Sequence, residues 1–241
     1  CGIVYCSTRR TVEEVDALLN DKGIPSTRYH AGLPEEERRR NQDDFVYDRK
    51  PIMVATNAFG MGIDKSNVSF VIHYNMPKNL ESYYQEAGRA GRDGSPAECI
   101  LLYSPQDVRT NRYLIENSDP NPDLDFETQE KLIQREYDRL RKMTYYCTTA
   151  DCLRAFILKY FGEPAEEYCG NCSSCAGGSV LVEATVEAQQ VLSCVARTGQ
   201  RLGISMICDI LRGSENERVL QMNLQTQSTY GLMREKPIFE I

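Results

Sequence analysis

The sequence predicts an α/β fold: a doubly wound parallel sheet, then a helical module pinned by a metal, then the opening helices of a third unit. Three observations predict it. Strand-sized apolar runs alternate with helical stripes over about the first 105 residues. A stretch rich in helix breakers, Asn117-Ser118-Asp119-Pro120-Asn121-Pro122-Asp123, then separates this pattern from helical periodicity. Four cysteines follow, spaced Cys152-x16-Cys169-x2-Cys172-x2-Cys175.

Taken in order, Ile3–Cys6 is a strand whose unbroken apolar run suits burial on both faces. Val12, Val15, Leu18 and Leu19 form a helical stripe, Thr27–His30 a short strand, and Pro34–Phe45 a charged helix. Ile52–Thr56 and Val68–Tyr74 are strands, Leu80–Ala90 a helix, and Ala97–Tyr103 the last strand. Beyond the linker, Phe126–Tyr146 carries Leu132, Ile133, Tyr137 and Leu140 on one side, and Thr149–Tyr160 feeds the cysteine loop. Val182, Val186, Leu192 and Val195 mark one further helix, and Ile204, Ile207, Ile210 and Leu211 another, the start of a winged helix. The expected domains are 1–116, 117–178 and 179–241.

Composition narrows the classes. Hydrophobic residues at 41% and charged residues at 26% exclude a disordered or fibrous chain. A net charge of −7 excludes a strongly basic tail but not a local basic groove. No run approaches the roughly 20 apolar residues of a membrane helix, so no membrane partner is expected. No basic region, apolar core and cleavage site open the chain, so a cytoplasmic protein is expected. The chain begins in a core strand and stops without a cap, as a piece of something longer would.

Ten cysteines divide into two groups. Cys1, Cys6, Cys99, Cys147, Cys194 and Cys208 lie scattered, mostly in apolar company, and nearly all are expected to be buried small hydrophobes. In the cluster, disulfides need secretion, and a redox Cys-x-x-Cys would follow a strand and open a helix, whereas Cys169–Gly178 reads as a Gly/Ser-rich loop. Overlapping Cys-x-x-Cys steps aim three sulfurs at one point, and Cys152, on the preceding helix, adds the fourth. Four thiolates and no open position predict a structural Zn²⁺ held by Cys152, Cys169, Cys172 and Cys175. Cys147 fits no such step.

The densest chemistry is Gln85-Glu86-Ala87-Gly88-Arg89-Ala90-Gly91-Arg92-Asp93-Gly94, two arginines three apart at a helix end among glycines. Glycines inside a helix each weaken it by about 1 kcal/mol, which suggests a crowded site with guanidinium groups directed at an anion. Val54–Lys65 leaves a strand and bends through Gly60 and Gly62, a loop whose Asp64 could touch nucleotide while Thr56 touches a nucleic-acid backbone. The carboxyl ends of the strands, expected to form the working edge, hold Ser7, His30, Thr56 and Asn75. His73, within an apolar strand, is expected to be a core residue.

These segments, with Tyr29-His30-Ala31-Gly32-Leu33 and the cysteine set after Tyr160-Phe161-Gly162-Glu163, resemble the second motor domain and zinc module of RecQ DNA helicases. Asp209–Ser214 and Ser228–Gly231 resemble the opening of that family's winged-helix domain. The resemblance implies a RecA-like sheet and a superfamily 2 motor that moves 3′ to 5′ on single-stranded DNA and unwinds duplexes and junctions in repair and recombination. It implies Arg92 and Arg89 as the catalytic arginines, Arg92 reaching the γ-phosphate; Gln85, Gly60 and Asp64 at the ATP cleft; and Ser7, His30 and Thr56 near DNA. No Gly-x4-Gly-Lys-[Ser/Thr] occurs, so ATP and Mg²⁺ are expected only with a first motor domain outside this chain. A zinc-containing DNA-binding adaptor derived from such a helicase is the alternative.

Overall fold

The computed structural model describes residues 1–60, 65–118, 121–177 and 182–237. The chain divides into two compact units, Cys1–Gly178 and Ser179–Ile241.

The first unit is built on five parallel strands: β1 (Gly2–Tyr5), β2 (Ser26–Tyr29), β3 (Ile52–Ala55), β4 (Phe70–His73) and β5 (Glu98–Leu101). Their spatial order is β2-β3-β1-β4-β5, with Gly2 level with both Ile52 and Phe70. Helix α1 (Arg9–Asp21), capped by Thr8, and helix α2 (Glu35–Val46) cover opposite faces. Side chains alternate along a strand, so Ile3, Tyr5, Met53, Ala55 and Val71 pack with Phe45 of α2, while Val4, Cys6 and Val54 pack with Val12 and Val15 of α1. A Cβ on Gly2 would collide with the Phe70 ring, so any side chain at the start of the central strand would have to displace that ring.

Helix α3 (Leu80–Ala87) is capped by Asn79 and ends at Gly88. The sequence expectation carried this helix to Ala90; instead both arginines lie on turns beyond its end, and the glycines close the helix rather than weaken it from within. Helix α4 (Pro105–Glu116) was not foreseen, and α5 (Phe126–Thr148) follows. Helix α6 spans Leu153–Tyr160, so Cys152 caps it instead of lying within it, and α7 (Ser173–Ala176) is one turn opened by Cys172. The cysteine loop therefore does open a short helix, contrary to the loop expected.

Leu80 and Tyr83 of α3 share a core with Leu140, Met143 and Tyr146 of α5 and Phe156 and Ile157 of α6. The sheet unit and the cysteine-bearing helices are thus continuous in packing.

The second unit holds α8 (Thr185–Arg197), α9 (Ile204–Arg212) and α10 (Glu217–Gln221). Cys194, Ile207, Ile210, Leu211, Val219, Leu224 and Met233 form its core. Gly213 closes α9 in the left-handed region, at φ 70°. Val182 precedes α8, and it, Val186 and Leu192 are all exposed, so of the predicted stripe Val195 alone packs against this core. No helix among the described residues is long and apolar enough to cross a membrane.

Candidate functional site

Parallel strands give the sheet two distinct edges, and the structure distributes the candidate residues between them. At the carboxyl edge, the Cys6 N–H donates to Ala55 O and the Thr56 N–H to Tyr29 O, which aligns Ser7, His30 and Thr56. The Ser7 N–H donates to Asn75 Oδ1 at 3.1 Å, and Asn75 Nδ2 donates to Asp107 Oδ1 of α4 at 3.0 Å. Ser7 is exposed, whereas His30 and Thr56 are buried. His30 accepts the Gly32 N–H at Nδ1, 3.2 Å, which leaves Nε2 to donate to Glu13, 2.7 Å. Both nitrogens of that ring are engaged within the chain.

The arginine string sits at the other edge. The Gly91 N–H donates to Val68 O at 2.8 Å and the Asp93 N–H to Ser66 O at 3.2 Å, both ahead of β4. Ser7, His30, Thr56 and Asn75 thus lie at the carboxyl edge as expected, whereas α3 runs back across the sheet and delivers the arginine loop to the amino edge. Arg92 is exposed, its Nε donating to Gly88 O at 3.2 Å. Arg89 is half-buried, and its Nε has no partner among the described residues. Gln85 is exposed on the last turn of α3.

Gly60 explains how Arg89 is seated. Its φ of 118° suits glycine alone, and a Cβ there would collide with the Arg89 guanidinium. Asp64 lies outside the described residues. Lys65, just beyond, is buried, with Nζ 2.8 Å from Asp48 Oδ1 and 3.2 Å from Val46 O. Gly60→Ala is expected to destabilise the Cys1–Gly178 unit by more than about 1 kcal/mol, read as a lower urea midpoint, whereas alanine at solvent-facing Gly94 strains the backbone but displaces no arginine.

Between the edges runs a polar line that sequence could not reveal. The His73 ring is buried as expected, stacked on Tyr5 at 5.5 Å, with Nε2 2.9 Å from Glu86 Oε2. Burial raises the Tyr5 phenol above its ordinary range, against the pull of the nearby Arg89 cation. Glu86 precedes Arg89 by one helical turn, so the arginine loop is tied to β1 and β4. A cleft of about 150 Å³ opens beside this line, bordered by Ser7, Asn57, Asn75 and Lys78.

The metal site is geometrically complete. The Sγ atoms of Cys152, Cys169, Cys172 and Cys175 all lie within 4.8 Å of one another. Cys169–Cys175 and Cys152–Cys172 are separated by 4.0 and 3.9 Å. A tetrahedron with sulfur about 2.3 Å from zinc has edges of about 3.8 Å, so the donors fit. The Cys172 N–H donates to Cys169 Sγ at 3.3 Å, and the Asn171 and Cys172 amides hold the Cys169 thiol below its usual range. Burial raises Cys172, but the amides of Cys175 and Leu153 and the neighbouring thiols outweigh it and bring it to about 6. Both thiols are thereby prepared to bind as thiolates. Cys147 stays apart in the α5 core, its thiol pushed up to about 12 by burial. Cys6, Cys194 and Cys208 are buried as foreseen, whereas Cys99 is exposed on the edge strand.

Residues 1–94 match the helicase conserved C-terminal domain, 105–176 the RecQ zinc-binding domain, and 179–241 the RQC domain. The chain belongs to the RecQ family. It is 45% identical over 240 residues to ATP-dependent DNA helicase RecQ of Bacillus subtilis, covering 100% of this chain and 39% of that protein. It is 38% identical to RecQ of Haemophilus influenzae over 98% of this chain and 36% of that one. It is 39% identical to ATP-dependent DNA helicase hus2/rqh1 of Schizosaccharomyces pombe over 91% of this chain and 16% of that protein. The chain thus spans well under half the length of these RecQ relatives. Its four-cysteine cluster is the RecQ structural zinc site, and the ion, when bound, cross-links α6 to the loop that ends in α7.

Proposed function

We propose that this chain is the second motor half, zinc module and RQC segment of an ATP-dependent DNA helicase that travels 3′ to 5′, with Arg92 as its arginine finger. One observation carries the assignment: Arg92 is exposed and anchored at the amino edge of the sheet, in a chain without a phosphate-cradling loop. A permanently charged, forked donor held toward solvent needs an anion brought by something else. Nucleotide held by a first motor domain, with Mg²⁺, supplies it. Arg89 on Gly60, with Gln85, completes this chain's side of that cleft.

DNA passes the opposite edge. Ser7 offers its hydroxyl there, while His30, locked by Glu13 and Gly32, and Thr56, fixed to Tyr29, shape the backbone that a phosphate would approach. The Tyr5–His73–Glu86 line joins the DNA side to the arginine loop, so a DNA-dependent shift can alter the finger's position. Duplex unwinding in repair or recombination is the use such a motor serves.

The purified 241-residue chain is expected to show no DNA-stimulated ATP hydrolysis, because half of the cleft is missing. Phosphate release with and without single-stranded DNA tests this. Turnover by the chain alone that Arg92→Ala abolishes would overturn the assignment of a half-site.

A further inference from the structure

We propose that the groove between α5 and α6 is a subsite for single-stranded nucleic acid, with one base on the Tyr145–Phe156 platform and neighbouring phosphates on Lys142, Lys159 and Arg141. It rests on the helicase reading above and names where part of that DNA is held.

The groove encloses about 550 Å³ and is lined by Arg141, Lys142, Tyr145, Phe156, Lys159 and Tyr160. Three cations and three aromatic rings face it with no carboxylate among them, in a chain whose net charge is −7. Helical spacing concentrates them: Arg141 and Lys142 lie one turn from Tyr145, and Phe156 one turn from Lys159 and Tyr160. Arg141 is shared with Asp138 at 3.1 Å, an exposed pair that competes little with a phosphate. Lys142 and Lys159 form no ion pair among the described residues, and Lys142 Nζ stands 5.1 Å from the Tyr160 ring centroid.

The rings form a platform on the outer rim of the core that Phe156 and Tyr160 help to cover. Tyr145 is 53% exposed, and its ring lies 5.6 Å from Phe156 at 35°. Tyr160 is fixed from below, its hydroxyl donating to Glu81 of α3 at 2.8 Å. The aromatic surface continues from Tyr160 to Phe161, and from Phe161 to the exposed Tyr84 of α3 at 5.0 Å. The exposed Tyr145 ring and half-buried Phe156 beside Lys142 and Lys159, which form no ion pair among the described residues, match a ligand with both π-faces and regularly spaced negative charge, which is single-stranded nucleic acid. An acidic peptide would satisfy the cations and leave the rings bare.

The test uses the zinc-loaded full-length enzyme and fluorescein-labelled oligo(dT), read by anisotropy over a salt series, with zinc content as the folding control. Tyr145→Ala is expected to weaken binding about tenfold, within the range for one stacked base, while Tyr145→Phe keeps wild-type affinity. Lys142→Ala with Lys159→Ala should lower affinity and flatten the salt slope by about 1.4, the contribution of two phosphates on a single strand. In the wild-type enzyme, which needs no substitution, oligo(dT) carrying 5-iododeoxyuridine should photocross-link to Tyr145. Unchanged affinity in Tyr145→Ala, an unchanged slope in the lysine pair, or cross-links only elsewhere would each overturn the subsite, as would displacement of oligo(dT) by an acidic peptide that protects the same residues. Failure of the wild-type enzyme to bind oligo(dT) or hydrolyse ATP would instead overturn the helicase reading.

Discussion

In the full-length enzyme, Arg92→Ala is expected to reduce DNA-stimulated ATP hydrolysis by about 10³-fold or more, the range for arginine fingers. The loss should fall on turnover more than on nucleotide binding, because the charge it opposes develops in the transition state. The fold should survive: Arg92 is exposed, and the Gly91 and Asp93 amides, not its side chain, hold the loop to Val68 and Ser66. Lysine should not restore activity, since an ammonium lacks the planar fork. Steady-state hydrolysis beside nucleotide affinity measures the separation. Hydrolysis within threefold of wild type would remove Arg92 from the finger role. Arg89→Ala should behave differently, because its guanidinium packs on Gly60 beside Tyr5; lower thermal stability should accompany its loss of activity.

The second large effect concerns zinc. Cys169→Ser and Cys172→Ser should lose metal and soluble protein together, while Cys147→Ser should retain wild-type zinc content. Metal analysis of the three variants decides this, and a fully folded, zinc-free Cys172→Ser protein would refute a structural role. Because the thiols bind as thiolates, protons compete for sulfur and zinc affinity should fall as pH drops. From sequence alone, folding of all of residues 124–178 should depend on the ion, since so small a helical piece buries little apolar surface. The structure narrows this: Leu140, Met143 and Tyr146 of α5 are buried against Leu80 and Tyr83, and Phe156 and Ile157 of α6 join the same core, so the dependence should concentrate in the cysteine loop and α7.

The sheet was legible because a strand covered on both faces leaves an unbroken apolar run, as in Ile3–Cys6 and Ile52–Ala55. The metal ligands were legible because tight Cys-x-x-Cys spacing fixes geometry locally. Helix α4 was not, because Val108 and Ile115, two turns apart and half-buried, mark its core side too thinly to read as a stripe; Ser104-Pro105 with Asp107 in the first turn was the available signal. The end of α3 was misjudged because Gly88 reads equally as a weak helical residue or as a stop. Leu132 and Ile133 look like a core face yet are about two-fifths exposed, being 42% and 41% accessible. Gly60 against Arg89, and His73 with Glu86, join residues distant in sequence, which only folding brings together.

The continuity of α3, α5 and α6 bears on how such proteins can be recombined from parts. The breaker-rich stretch at 117–123 looks like a seam, yet a cut there would strip Leu80 and Tyr83 of their cover and leave Met143 facing water. The inheritable cassette is the sheet together with its cysteine-bearing helices. Chimaeras exchanged at the second unit's border, near residue 178, keep the described core of each unit whole, whereas those joined at 117 must match two interlocked surfaces from different parents.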